Sequence, residues 1–155
     1  MAEYDLKSIT EVVSAITPAV LSADNTPGAI DLLGWQSAVI ATNVGAGGIT
    51  FSGTNKIEFV LTHSDDNSTY EAVAATDVVM PYGESWATGG IIRSLVAAKA
   101  AADTTVHTVG YVGKRRYLKL LADFSGTHGT GTAISATVIK GNPMHAPASQ
   151  SSYES

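Results

Sequence analysis

The stretch KIEFVLTH, residues 56–63, shows most directly how this chain folds. Ile57, Phe59 and Leu61 alternate with other residues, and residues two apart in a strand share a face. The pattern therefore predicts a strand with one buried side and one side in water. Residues 64–68, SDDNS, predict a turn after it, because Asp, Asn and Ser side chains bond their own backbone and interrupt regular pairing.

Short apolar runs separated by Gly, Asn, Asp, Ser and Thr recur along the rest of the chain, a pattern typical of an all-β domain. Residues 91–102, IIRSLVAAKAAA, suit a helix through their alanines and a strand through their alternation, and we predict a strand over 91–97. Roughly eight to ten strands indicate a jelly-roll-like antiparallel β-sandwich. The other predicted strands cover residues 20–24, 29–33, 36–44, 70–73, 78–80, 106–112, 115–124 and 133–139.

A length of 155 residues suits a single domain. We predict that the sandwich occupies residues 11–141. Residues 1–10 would form an N-terminal arm, and residues 142–155 would form a flexible C-terminal tail, since they are rich in Pro and Ser and have little to bury.

Composition excludes several classes of protein. A net charge of −5 argues against direct nucleic-acid binding, which needs a broad basic face. The absence of cysteine rules out disulfides and thiolate metal sites. Glu3 and Asp5 stand where a signal peptide would carry positive charge, and no apolar run reaches the roughly 18 residues of a membrane span. We therefore expect a protein made in a cytosol, with no membrane contact.

Catalytic, cofactor and metal motifs are not found in the sequence, so we predict that the protein is not an enzyme. The glycine-rich stretches 44–50 and 125–132 lack the spacing of phosphate-binding loops, and we interpret them as hairpin loops. The histidines lack the spacing of zinc ligands and are interpreted as exposed loop residues: His63, His107, His128 and His145.

A basic stretch stands out in this acidic chain at residues 109–126, VGYVGKRRYLKLLADFSG. Residues 106–112 and 115–124 have the alternation of two strands, and Gly-Lys at 113–114 suits a two-residue turn between them. We therefore predict an antiparallel hairpin that carries the basic cluster. Four of the nine Lys and Arg residues belong to this cluster: Lys114, Arg115, Arg116 and Lys119.

Two interpretations of the basic hairpin stay open. It is either a solvated strand end, with Leu118 and Leu120 on its apolar face, or a protein contact, since Tyr and Arg are enriched at interfaces. In a variant of the first interpretation, Arg116 is structural and ties the hairpin to backbone carbonyls. The candidate partner-contact residues are Tyr111, Lys114, Arg115, Arg116 and Tyr117.

The sequence from GYVGKRRY (110–117) through the Gly-Thr-rich loop to ATVIKGNP (136–143) resembles the C-terminal half of small cement, or decoration, proteins of tailed bacteriophage heads. Upstream, EFVLTHSDDNSTYEAV (58–73) is similar to a strand and turn of the same family, with Asn67 in place of a glycine; asparagine also tolerates a positive φ. The resemblance covers most of residues 4–147.

The resemblance implies a jelly-roll-like protein on the exterior of the virion, made in the host bacterial cytoplasm. Its partners would be the phage major capsid protein and further copies of itself, as a homodimer or homotrimer, and the candidate residues would lie in one of those contacts. The alternative is a carbohydrate-binding jelly-roll module on a phage surface. Its aromatic platform would come from Trp86 and Tyr82, because Trp35 is predicted to lie in the core.

Overall fold

The computed structural model describes residues 5–46, 49–84, 88–97 and 106–145. Its elements are almost all strands, and no helix among these residues is long and apolar enough to cross a membrane. The strands are β1 (Thr10–Leu21), β2 (Ile30–Asp31), β3 (Trp35–Val44), β4 (Lys56–Ser64), β5 (Glu71–Ala72), β6 (Val78–Val79), β7 (Ile91–Leu95), β8 (His107–Tyr111), β9 (Tyr117–Ser125) and β10 (Thr132–Pro143).

These strands form two antiparallel five-stranded sheets. Sheet A has the order β1-β10-β3-β8-β6, and sheet B has the order β2-β9-β4-β5, with β7 on the same edge of β4 as β5. Without the short strands β5 and β6, the strand order is β1-β10-β3-β8 in sheet A and β2-β9-β4-β7 in sheet B. Successive strands of this set alternate between the sheets, which is the connectivity of a jelly roll. The prediction of an all-β antiparallel sandwich is confirmed.

The core lies between the sheets and follows the alternation that the sequence shows. Ile57, Phe59 and Leu61 of β4 have no exposed area, and Leu118 and Leu120 of the neighbouring β9 are 1% exposed or less. Burial of a large aliphatic or aromatic side chain contributes about 1.5–3 kcal/mol, so these two central strands anchor the sandwich. The buried and half-buried positions predicted for 56–63 are confirmed.

The predicted basic hairpin is wrong. β8 pairs with β3 and β6 in sheet A, whereas β9 pairs with β2 and β4 in sheet B, so the basic segment between them crosses from one sheet to the other. The glycine-rich stretches 44–50 and 125–132 are likewise connections between sheets and not hairpin loops. Among the described strands, only β4 and β5 are joined within one sheet.

β1 is longer than the sequence indicates. The predicted strand at 20–24 is only the end of β1, which begins at Thr10. A short 3-10 turn, Lys7–Ile9, precedes it within the predicted arm. At the other end, the predicted tail begins inside β10, which extends to Pro143, and the rest of the tail from residue 146 lies outside the described residues.

The two predictions around β4 and β7 hold where the structure describes them. β7 confirms a strand in the first part of 91–97, and residues 98–102 lie outside the described residues. The turn at 64–68 is confirmed: the Asp66 carboxylate accepts hydrogen bonds from the Ser68 and Thr69 amides at 2.8 Å, and Asn67 has a φ of 58°. These bonds lower the pKa of Asp66 to about 2.

Side chains complete the edge of sheet B where β2 is too short to do so. Asn25 bonds the Leu120 carbonyl and the Ala122 amide of β9, and the Asp24 carboxylate accepts a bond from the Phe124 amide at 2.7 Å. Side chains of the connection between β1 and β2 therefore satisfy three backbone groups of β9 on the side away from β4.

Candidate functional site

The basic segment between β8 and β9, residues 112–116, is supported from inside the sandwich by Tyr111. This tyrosine is 1% exposed, and its hydroxyl lies 2.9 Å from His63 Nδ1 of β4 in the opposite sheet. The Arg115 backbone amide donates to the same hydroxyl oxygen at 3.3 Å. A Cβ on Gly113 would lie 2.5 Å from this oxygen, so the chain passes over the phenol only because residue 113 is glycine.

This arrangement suits a neutral His63. The phenol oxygen accepts a hydrogen bond from the Arg115 amide, and its O–H can donate to an unprotonated Nδ1 of neutral His63. Burial lowers the pKa of His63, and the charge of Arg115 lowers it further. His63 is thus a buried neutral histidine and not the exposed loop residue predicted, and Tyr111 is a core residue whose side chain cannot itself contact a partner in the folded chain.

Both arginines of the segment form ion pairs within the chain. Arg116 binds Asp31 of β2 through two parallel hydrogen bonds of 2.8 and 2.6 Å, and this bond lowers the pKa of Asp31. Arg115 binds Glu71 of β5 at 2.6 Å and lies 3.8 Å from Asp65. Arg116 is therefore tied to a carboxylate and not to the backbone carbonyls that one interpretation predicts, and two of the four cations of the basic cluster are paired with carboxylates.

The other cations of the cluster differ in their surroundings. Lys114 is exposed at the end of the sandwich. The Lys119 ammonium lies 4.1 Å from the centre of the Tyr70 ring, and the Arg116 guanidinium lies 4.7 Å from the centre of the Tyr117 ring. Such contacts contribute about 0.5–1 kcal/mol at exposed sites, and they hold both aromatic rings against the surface of sheet B.

A groove of about 400 Å³ lies between this segment and residues 32–37, which are the connection from β2 to β3 and the start of β3. Trp35 lines the groove and is half-buried, so the prediction that it belongs to the core is wrong. Leu33 and Val112, at 67% and 54% exposure, add apolar surface beside the exposed Lys114. The groove is the place where the predicted contact residues meet surface that another molecule can reach.

A second surface, which the sequence did not single out, covers the outer face of sheet A. Strand pairing and alternation define its members on each strand. Among the described residues of these five strands, no outward-facing side chain is charged. We call this surface the uncharged face; it comprises Thr10, Val12, Ser14 and Val20 of β1, Ala133, Ser135, Thr137, Ile139, Gly141 and Pro143 of β10, Trp35, Ser37, Val39, Ala41 and Asn43 of β3, Thr108 and Gly110 of β8, and Val79 of β6.

One row of residues crosses the uncharged face from edge to edge. Val12 pairs with Ile139, Ile139 with Val39, Val39 with Gly110, and Gly110 with Val79. Val12, Val39 and Val79 are 49%, 37% and 57% exposed. The row therefore forms a continuous apolar band across all five strands, bordered by Ser, Thr and Ala residues in the next row. An exposed apolar surface of this kind marks a contact site.

The charges that sheet A does carry point inward. Lys140 of β10 and Glu11 of β1 are paired neighbours, and their charged atoms lie 2.7 Å apart. Their side chains are only 10% and 11% exposed. A buried ion pair of this kind is costly to break, because removal of one partner leaves the other charge without compensation in a place with little water.

The outer face of sheet B has the opposite character. It carries five charged residues on paired strands: Asp31, Lys56, Glu58, Lys119 and Asp123. Lys56 and Glu58 form an ion pair of 2.6 Å on this face. Charged outward positions are usual for a sheet face in water. The two outer faces of the sandwich thus differ in charge, and burial of a charged face against another protein is costly.

The remaining histidines also depart from expectation, except for His145, which is exposed. His128 is 2% exposed, and its Nε2 lies 2.8 Å from the Ser125 carbonyl oxygen. His107 is half-buried, with Nε2 2.7 Å from a Glu84 carboxylate oxygen. Within the described ranges, no three His, Asp or Glu side chains converge as metal ligands.

The sequence contained a signal for the uncharged face. Successive residues of a strand point to opposite faces. In β3 and β10, neither of the two faces carries a charged residue except for Lys140, so the sequence marks no charged, water-facing side on these strands. No protein-family model, no curated protein and no solved structure matches this chain. Function must therefore be argued from these two surfaces.

Proposed function

We propose that this protein is a structural virion protein, a cement or decoration protein that binds the outer surface of a tailed-phage capsid. It would stabilise the mature lattice by bridging neighbouring major capsid proteins. The observation that carries the proposal is the uncharged face, a broad protein-contact surface on an otherwise acidic sandwich. The resemblance of residues 4–147 to cement proteins of phage heads supplies the kind of partner.

A cement protein needs contact surfaces on a rigid body and no chemistry at those surfaces. A ligand that binds only the mature lattice stabilises it by about 2.7 kcal/mol per site when its concentration is a hundredfold above Kd. The jelly roll provides the rigid body, and the groove beside Lys114 and the uncharged face provide two contact surfaces at its end and side. The two surfaces meet at Trp35 and Ser37, so they offer adjoining contacts for two neighbouring capsid proteins.

The test is co-sedimentation with empty phage heads before and after expansion. We expect the protein to pellet with expanded heads up to a fixed number of copies per capsid, and to stay in solution with unexpanded heads. Lys114→Glu, in the groove, should weaken pelleting, and Lys56→Glu, on the outer face of sheet B, is the matched control for the change in charge. Protein that stays in the supernatant with both head forms would overturn the proposal.

A carbohydrate-binding module is the second candidate, and one observation favours it. Trp35 lines the groove beside the Asp31–Arg116 pair, which offers a ring surface next to polar groups of the type that sugars use. Tyr82 is fully exposed, whereas Trp86, the other residue expected in a platform, lies outside the described residues. Glycan-array binding that Trp35→Ala abolishes, together with no capsid binding, would select this function.

A further inference from the structure

We infer that the uncharged face binds a second copy of this chain, with the two sheets A packed face to face across a two-fold axis. This inference deepens the proposed function, on which it rests for treating the face as a protein contact, by naming the partner of that face. Residues 112–116 of the groove, which are not part of the uncharged face, then remain for a different partner.

Charge selects the surface through which two copies of this chain can meet. The chain carries a net charge of −5, so two copies that approach through most of their surface repel each other. The uncharged face is the outer sheet surface on which two copies meet without any opposed like charges. Interface cores are depleted of charged residues in the same way.

The apolar row also suits contact with its own copy. In a two-fold interface the same patch lies on both subunits and must be self-complementary. The row from Val12 through Val39 to Val79 extends across the sheet, so the rows of two copies cross near the axis wherever Val39 lies close to it. Branched apolar side chains bordered by small Ser, Thr and Ala residues allow two sheets to approach to about 10 Å.

The size of the face approaches that of a standard protein contact. With a rise of about 3.3 Å per residue and about 4.8 Å between strands, the five strands of sheet A present roughly 650 Å². A standard specific interface buries about 800 Å² on each partner. The sheet with its projecting side chains is therefore close to the size that a dimer needs.

Face-to-face packing is favoured over extension of the sheet at its edge. β1 is the open edge of sheet A, but its pairing with β10 contains two register shifts, between Ser14 and Ile16 and between Ile16 and Ala19. Pro18, which lacks a backbone N–H, lies in the second shift. Bulges and prolines are the features that prevent strand addition at an edge. A second copy is therefore expected to bind the face and not to extend sheet A at β1.

The experiment is light scattering across a dilution series of the free protein and of two matched variants. Val39→Lys places a charge at the centre of the uncharged face. Val60→Lys places the same charge on the central strand of sheet B, where Val60 faces outward and is half-buried. We expect a dimer for the wild type and for Val60→Lys. We expect at least about a hundredfold weaker association for Val39→Lys, because a lysine would be buried without a partner.

A second variant, Thr108→Lys, guards against a folding defect at Val39, since Thr108 is an exposed residue of the same face and tolerates a longer side chain. Far-ultraviolet circular dichroism confirms that each variant is folded. A monomeric wild type overturns the inference, as does a dimer that survives both Val39→Lys and Thr108→Lys.

The outcomes also separate this inference from the proposed function. A dimer that does not pellet with either form of the heads would leave the second-copy contact standing and remove the capsid role. A monomer that pellets with expanded heads would do the reverse, and would assign the uncharged face to the capsid protein.

Discussion

The outer faces of the two sheets are built on the same alternation and yet have opposite chemistry. Sheet B places Lys56 and Glu58 on the outer side of its central strand, as an ion pair of 2.6 Å whose side chains are 28% and 16% exposed. Sheet A turns an ion pair of nearly the same length, Glu11 with Lys140, toward the interior and leaves its outer positions uncharged. Charged side chains therefore lie on the outer face of sheet B and on the inner side of sheet A.

The first prediction concerns removal of one charge from each of these two ion pairs. Glu11→Ala leaves the Lys140 ammonium buried, and we expect a loss of about 3 kcal/mol in the free energy of unfolding. Glu58→Ala leaves Lys56 at 28% exposure, where it reaches water, and should cost at most about 1 kcal/mol. Urea unfolding of both variants measures the difference. Equal losses would mean that the two pairs are not in different environments.

The second prediction concerns the link between the sheets. Tyr111→Phe removes the partner of His63 Nδ1 and of the Arg115 amide, and we expect a loss of about 1–2 kcal/mol, measured by urea unfolding. Tyr117→Phe is the control on sheet B, since the Tyr117 hydroxyl forms no hydrogen bond with the described residues. This variant should change the free energy of unfolding by less than about 0.5 kcal/mol. If both variants behave alike, the buried hydroxyl does not support the crossing segment.

The third prediction concerns the bidentate pair on the sheet B side. Arg116→Ala removes the two hydrogen bonds between Arg116 and Asp31, whose side chains are 41% and 43% exposed, and at low salt it should destabilise the fold less than Tyr111→Phe does. Thermal unfolding in low and high salt measures it, and the cost should shrink as screening increases. A cost that salt does not change would contradict an electrostatic role.

The smallest effect expected is a dependence on pH that arises from His63. Its pKa is lowered in the folded protein, chiefly by burial, so the unfolded chain takes up a proton at a higher pH than the folded chain does. Stability from this group is therefore complete above the ordinary histidine pKa of about 6.5 and is lost as pH falls through the folded value. His63→Gln should flatten this slope in a series of unfolding curves. An unchanged slope would assign the effect to other groups.

Parts of this architecture could be read from the sequence. The alternation of Ile57, Phe59 and Leu61 identified β4 and its buried side, and the Asp and Asn residues after it identified the turn. β1 was missed because two register shifts interrupt its alternation, so that no single period covers Thr10 to Leu21. Local pattern is reliable for a strand whose pairing is regular on both sides.

A hairpin between β8 and β9 could not be excluded from the sequence. A turn that contains glycine predicts that the chain reverses direction, but it does not predict whether the two flanking strands pair with each other. Whether that strand pairs or crosses to the other sheet depends on partners such as β3 and β4, far away in the chain. For the same reason the basic cluster was visible, but Asp31 and Glu71, which neutralise it, were not. The uncharged face also required the neighbours of each strand to be known.

The most direct test of the central claim uses the absence of cysteine from the chain. Thr108→Cys on the uncharged face and Ser94→Cys on the outer face of sheet B are both at exposed positions on five-residue strands. The rate of maleimide labelling is measured for each, in dilute monomer and in the assembled state. We predict that assembly protects Cys at position 108 and leaves position 94 reactive. Protection of position 94 with position 108 still reactive would contradict the assignment of the uncharged face as the protein contact.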